Sequence, residues 1–537
     1  MSIKLFANAI LTTAGAFVIW VLVDAAEYIL RPLVSPARKL RGPPSSSFVF
    51  GHMMDEDAPN VGGSGEVLHP HEIWRREYGH VYATRAFLGE IRCMLFDPRA
   101  LSYVLENHAT YTSPRTLRYI LQRILGEGLI VAQGAEHKHQ RRLLLPAFSS
   151  SSLRELVPIF HEKAIELRDK LLAQTRISDK DDARIDMLHQ LSLTALDIIG
   201  EAGFGYKFNA LQEGTDASEL SAAFHGIFSS SSGLGAFFVI KAFLPPFRLF
   251  IFDKREREIR KARRTMHRVG LELIRERLKE AKRGEEDSSR KDLLSLMVRS
   301  NLSTDLPPEQ RLSLQQILNQ IPTFILAGHE TTSTSLAWCL FSLSQHKECQ
   351  QRLRLEILEA MEQIGFKPSM DQLDSLPYLD AVVKETIRFH PATENAFRKA
   401  LVDDVIPVSK PYVDIDGRQR TEISVKKGDV FMIPTFAINH LEEVWGPGAN
   451  QFQPERWLSG VPPSHVKFGL PEGASYSTWG WGGSMTFLSG QRACIGFRFA
   501  VLEMKAILFQ LVSALEFNLS VPASDIGKAH MYGLRSR

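Results

Sequence analysis

Apolar and polar positions along the chain separate one uncharged run at the start from a long body with helical periodicity. Leu5 to Val23 are 19 residues without a charge, broken only by Asn8, Thr12 and Thr13. As a helix this run reaches roughly 28 Å, about one bilayer core. Further on, apolar residues recur at helical spacing over 153–174, 186–202, 253–283, 313–345, 347–364 and 379–389. Strand-like runs at 80–87, 91–96 and 429–433 are short. The pattern predicts a mainly α fold with small β-sheets.

Lys4 is the only basic residue before the uncharged run, whereas Arg31, Arg38, Lys39 and Arg41 follow it. The positive-inside rule then places the C-terminal side in the cytosol. The run is longer than the apolar core of a usual signal peptide and lacks a small-residue cleavage site, so residues 1–30 read as a membrane anchor. Pro32, Pro36, Pro43 and Pro44, with Gly42, predict a stiff, extended connector over 31–65. Residues 66–537 show no internal repeat, low-complexity linker or second composition class, which predicts one catalytic domain. Within it, 233–252 carries six phenylalanines around Pro245 and Pro246, and a basic helix follows; this suits either a core segment or a loop dipping into lipid headgroups.

Composition narrows the function. A chain of 537 residues, 44% hydrophobic and 23% charged, can bury a large core. The net charge of +3, from 64 basic and 61 acidic residues, lacks the bias expected of a nucleic-acid binder. Cys93, Cys339, Cys349 and Cys494 are far apart and none sits in a C-x-x-C pair. That excludes a zinc knuckle or disulfide framework and leaves each cysteine to its own neighbours.

Cys494 has distinctive ones. The chain reads Phe487-Leu-Ser-Gly490-Gln-Arg492-Ala-Cys494-Ile-Gly496, and an apolar-periodic helix follows. A thiolate at the start of a helix gains from the positive end of the helix dipole, and Arg492 is expected to add to that. The glycines let the backbone pass close to a flat ligand. A lone cysteine usually packs as an inert small hydrophobe. The pattern F-x-x-G-x-R-x-C-x-G, however, resembles the haem-binding loop of the cytochrome P450 family. The resemblance implies that Cys494 is the axial ligand of a haem b (heme) iron, with Phe487 and Arg492 beside the cofactor.

A second motif, Ala327-Gly328-His329-Glu330-Thr331-Thr332, lies in a helix whose Ile317, Ile321, Ile325 and Leu336 share a face with Gly328. Glycine inside a helix costs about 1 kcal/mol relative to alanine, so Gly328 wants a reason, and tight packing on a neighbour is one. A-G-x-E-T-T also resembles the family's distal oxygen-binding helix. That implies that Ala327 and Gly328 admit O2 and that Glu330 and Thr331 hand on protons through water. Pro322 is expected to kink this helix.

Glu385-Thr-Ile-Arg388 and Pro454-Glu455-Arg456-Trp457 resemble the family's K-helix pair and the segment after it, with Trp457 replacing the usual phenylalanine. The implied role is a buried ion network of Glu385, Arg388 and Arg456 that braces the core. His137-Lys-His-Gln-Arg141 resembles a C-helix W-x-x-x-R segment, with His137 in the tryptophan's place. Haem propionates need cationic partners when buried. By resemblance, His137, Arg141, Arg492 and, from its spacing after His390, Arg398 supply the contacts.

The matches run in the family's order across nearly the whole chain. They imply a mostly helical fold behind an N-terminal transmembrane helix. The implied activity is an NADPH- and O2-dependent monooxygenase acting on a lipophilic small molecule at the endoplasmic reticulum membrane, in the style of fungal secondary metabolism. Only 43 residues follow Cys494, so electrons are expected from a separate NADPH–cytochrome P450 reductase, with cytochrome b5 as a second donor. A haem-thiolate isomerase or dehydratase, or a non-enzymatic haem sensor, are the alternative readings. By resemblance the pocket is lined near 111–130, 224–250, 325–332, 392–397 and 530–533.

Overall fold

Helices form where the periodicity predicts them, because capping residues end them there. The computed structural model describes residues 28–53, 70–176, 183–214, 254–283, 292–302, 311–458 and 483–528, with single residues and short pieces elsewhere. In chain order we name α1 (Pro70–Tyr78), β1 (Val81–Arg85), β2 (Ile91–Leu95), α2 (Pro98–Glu106), β3 (Tyr111–Thr112), α3 (Arg115–Leu125), α4 (Gly134–Leu144), α5 (Ser150–Arg176), α6 (Met187–Phe204), α7 (Lys254–Arg283) and α8 (Leu293–Leu302). There follow α9 (Leu314–Gln345), α10 (Lys347–Ile364), α11 (Pro377–Phe389), β4 (Ala396–Ala400), β5 (Asp404–Val413), β6 (Gln419–Val425), β7 (Val430–Ile433) and α12 (Phe497–Ala514). Ser313 and Gln316 close a capping box at the start of α9. Asp186 caps α6, which ends on Gly205 in the left-handed region at φ 60°.

The sheet order is β1-β2-β7-β4-β3; β2 and β7 run parallel and the other pairs antiparallel. β5 and β6 form a separate hairpin. The apolar residues gather in two cores, one among α5, α6, α9, α10, α11 and α12 and one around the sheet. α9 runs as one continuous helix through Pro322. Proline removes a single backbone hydrogen bond, and the packing of a buried helix on both sides outweighs that loss.

The start of the connector is helical where an extended chain was expected, whereas 41–45, with Pro43 and Pro44, form no helix. Residues 28–34 are helical through Pro32, and Pro36–Lys39 form a 3-10 turn. Tyr28 donates to Phe87 O at 2.8 Å and Arg31 to Lys427 O at 2.8 Å, which ties this stretch to the domain. Tertiary hydrogen bonds therefore override the extended preference of a proline-rich segment. Most of the predicted anchor run 5–23 falls outside the described residues, as does most of 233–252. Among the described residues no helix is long and apolar enough to cross a membrane.

Behind the site, Glu385 is fully buried and accepts from Arg388 Nη2 at 2.7 Å, Arg388 Nε at 2.9 Å, Arg456 Nε at 3.0 Å and the Gln453 N–H at 2.8 Å. Trp457 Nε1 donates to the same carboxylate at 2.9 Å, a bond that phenylalanine cannot make. Arg388 also donates to Asn439 O and Ala449 O, both at 2.7 Å. Burial alone pushes the Glu385 carboxyl up, but Arg388, Arg456 and the Gln453 N–H together hold it below the usual range. Arg388→Ala should therefore destabilise the fold by about 3–5 kcal/mol, since it strands a buried carboxylate. Arg352→Ala, which breaks the exposed pair with Glu455 at 3.3 Å, should cost less than about 1 kcal/mol. Urea unfolding of the two variants checks the contrast.

Candidate active site

Cys494 sits where a loop folds back on itself just before α12. Its N–H donates to Phe487 O at 2.9 Å, and Gly490 takes φ 71°, with Leu105 O 2.6 Å from where a Cβ would stand. A side chain at Gly490 would thus collide with backbone, and the loop could not close. Arg141 Nη1 on α4 donates to Ala493 O at 2.8 Å, which fixes the loop from the other side. The Phe487 ring lies 5.9 Å from that of Phe497. Cys93 and Cys339 are fully buried, whereas Cys494 is exposed. Dense surroundings nevertheless push its thiol up, opposed by the Gly496 N–H and by Arg141. Exposure with protein all round describes the wall of an internal cleft. The cation that acts on the sulfur is Arg141, not the neighbouring Arg492 that the sequence suggested.

Arg492 reaches instead to Gln133 Oε1 at 2.9 Å. Burial lowers it to about 10, with Arg398, Arg118 and Arg141 adding to the effect. Arg398, on β4 and 6% exposed, is lowered to about 10 by burial, and its Nη1 donates to Phe397 O at 2.9 Å. Burial also lowers Arg141. Arg118 on α3, which the sequence reading missed, joins this cluster, and its Nε is buried with no hydrogen-bond partner among the described residues. His137 is buried, lowered to about 3 by burial and by Arg492 and Arg141, and its Nδ1 also lacks a partner.

No carboxylate among the described residues pairs with these arginines. Buried and half-buried cations around an orphaned imidazole nitrogen fit a ligand with two negative charges. That is the chemistry of a haem's propionates, and Cys494 supplies the soft donor its iron takes. Arg118, His137, Arg141, Arg398 and Arg492 would hold the propionate side, and Phe487 would pack beside the loop.

On α9, Ala327 is exposed although Ile325 and His329 are buried, so the helix is open at this turn, as the distal side of a haem cleft would require. A Cβ at the half-buried Gly328 would lie 2.8 Å from Ile199 Cγ1 on α6, so its smallness serves helix packing. Glu330 and Thr331 are half-buried. Burial raises the Glu330 carboxyl to about 7, and Thr331 Oγ1 donates to Ala327 O at 2.6 Å. Of the other segments expected to line the pocket, 530–533 and most of 224–250 lie outside the described residues.

A further carboxyl escaped the sequence reading. Glu503 on α12 is 0% exposed, with only the Thr332 hydroxyl near it and neither oxygen in a strict hydrogen bond among the described residues. Burial pushes it well above the usual range. Folded protein then binds this proton more tightly than unfolded chain, so stability falls as pH rises from the ordinary carboxyl value of about 4.3 towards the raised one. Glu503→Gln removes that dependence. Urea midpoints measured from pH 5 to pH 8 should therefore diverge in favour of the variant as pH rises, and parallel curves would refute a neutral Glu503.

Comparison with known proteins gives one answer. The family model for cytochrome P450 matches residues 42–531. Cytochrome P450 monooxygenase 205 of Postia placenta is 42% identical over 96% of this chain and 92% of its own length. Cytochrome P450 monooxygenase 128 of the same fungus is 39% identical over 98% and 94%. A ganoderic acid synthetase of Ganoderma lucidum is 30% identical over 94% and 91%. With its cysteine loop, its acid–alcohol helix and this match over nearly its full length, the chain belongs to the cytochrome P450 family and is a monooxygenase of fungal type.

Proposed function

We propose that this enzyme inserts one atom of O2 into a lipophilic small molecule of secondary metabolism, a terpenoid, sterol, polyketide or aromatic compound. The observation that carries the reading is the Glu330 carboxyl, raised to about 7 beside Thr331 on the helix where Ala327 opens onto the cleft. A group poised near neutrality gives and retakes a proton at comparable cost. The overall change is R–H + O2 + two electrons + two protons to R–OH + water. Haem, when bound, supplies the activation of oxygen.

The protein's part is proton handling and exclusion. Thr331 commits its own hydrogen to Ala327 O, which leaves its oxygen lone pairs to accept from water, and Glu330 one residue earlier replenishes the proton. Phe324, Ile325 and Ile199 are buried around this stretch and keep bulk water from it. The ganoderic acid synthetase relative supports a terpenoid among these substrates. Electrons would come from NADPH through a separate reductase, with cytochrome b5 as a second donor, docked on the basic residues near α4. The uncharged run 5–23 supports an anchor in the endoplasmic reticulum membrane with the catalytic domain in the cytosol.

The test supplies reductase, NADPH and a panel of terpenoids and sterols, and follows product, NADPH and hydrogen peroxide together. Thr331→Ala should lower product by on the order of 10²-fold while NADPH is still consumed and peroxide accumulates. Because Glu330 acts in its protonated form, product formation should fall as pH rises through about 7, and Glu330→Gln should flatten that limb. Product formed without O2 and reductant would overturn the proposal in favour of an isomerase.

A further inference from the structure

Two buried glutamines form an arrangement that the proposed proton transfer does not use. Gln140 on α4 is 1% exposed and Gln320 on α9 is 0% exposed. Gln320 Nε2 donates to Gln140 Oε1 at 2.8 Å, while Gln320 Oε1 accepts from the Leu129 N–H at 3.0 Å. Gln140 Nε2 donates onward to Glu136 Oε1 at 2.6 Å and to Glu127 O at 3.4 Å. Gln316, one turn before Gln320, reaches the same Glu136 Oε1 at 2.7 Å. The amide ends of both glutamines are thus engaged on both sides, and apolar residues in their places would serve α4 and α9 as plain packing. Buried amides are kept where they fix a geometry.

What they fix is the segment between α3 and α4. Residues 126–132 lie on α9 so closely that a Cβ at Gly128 would collide with Thr323 Oγ1 and stand 2.6 Å from Asn319 O. Gly126 takes φ 77°, with Asn319 Oδ1 2.6 Å from its Cβ position. Leu129, Val131 and Ala132 are buried. The contact falls on the turns of α9 around Pro322. On α4, His137 and Arg141 each follow by one residue the bonded pair Glu136 and Gln140, so they stand together on the neighbouring face, and Arg141 bonds Ala493 O beside Cys494. On α9, Gln316, Gln320, Thr323, Ala327 and Thr331 occupy one sector about 100° wide, given 3.6 residues per turn. Hydrogen bonds therefore run from the cysteine loop through α4 to the face of α9 that holds Thr331.

We propose that the Gln140–Gln320 amide pair is a positioning device that sets the spacing between the helix holding the cysteine loop and the helix carrying Glu330 and Thr331, and pins residues 126–132 as a fixed wall of the distal cleft. The proposal rests on the haem-thiolate reading for its consequence at the haem, but not for the wall itself. A fixed wall selects substrates by shape at that end of the cleft, so adjustment to different substrates must come from other segments.

The test uses the full chain loaded with haem and three variants, Gln140→Leu, Gln320→Leu and the double. Two readouts separate the wall from the haem: hydrogen–deuterium exchange of 126–132, and the infrared C–O stretch of the reduced carbon monoxide complex. Each single variant should speed exchange at 126–132 by about tenfold, as expected for one lost buried hydrogen bond, and leave α12 as protected as before. Each should also broaden or split the C–O band, and the double should fall short of the sum of the singles because the two residues act as one pair. Unchanged exchange at 126–132, a C–O band that does not move, or strict additivity would overturn the proposal. Were Gln320→Leu not to fold, Gln320→Met, which keeps the length without the amide, carries the same expectations. A chain that bound no haem yet showed faster exchange would fail the haem reading and leave the wall standing.

Discussion

Several buried or half-buried guanidinium groups gathered without a carboxylate among the described residues are the constraint on which the rest of this structure turns. Arg141, Arg398 and Arg492 are each lowered, first by burial, and Arg492 further by its cationic neighbours. A fold that gathers like charges in a low-dielectric interior is stable only when something of opposite sign joins them. Haem's propionates would do that, so binding the cofactor and completing the fold would be one event in this region. Arg141 links the two roles, since it belongs to the cation cluster and also holds the carbonyl next to Cys494.

The two faces of α9 show how one helix serves packing and chemistry together. Gly328 lets α6 approach until Ile199 touches the backbone, while Ala327, one residue away and some 100° round, borders the cleft. Close packing on one side holds the helix still, and that stillness allows Glu330 and Thr331 to keep a defined position on the other. The buried Glu385 network also braces the core, with Arg388 gathering carbonyls from the end of the short helix Thr435–Asn439 and from Ala449.

Much of this was legible in the sequence. Helix positions followed from periodicity because long amphipathic elements bury one face whatever their partners. Cys494, Glu330, Thr331 and the Glu385–Arg388 pair were visible because each motif is local in sequence. What was not visible depends on distant segments meeting. Arg118 joins Arg492 across 374 positions, a number fixed only by the fold. Gln140 and Gln320 are 180 residues apart, and a glutamine alone carries no signal. Glu503 carries no signal in the sequence beyond its helix, and it is buried because nearly every residue of α12 around it is. Trp457 read as a departure, yet its indole nitrogen completes the Glu385 carboxylate. Arg492 was assigned to the thiolate by proximity in sequence, whereas the structure gives that place to Arg141.

The central claim is that Cys494 ligates haem iron through its thiolate from within this cation-lined cleft. The carbon monoxide difference spectrum of the reduced protein tests it most directly, recorded for the wild type and for Cys494→Ala. The account predicts the absorption band of a thiolate-ligated complex in the wild type and its loss in the variant. The same band in Cys494→Ala would contradict it.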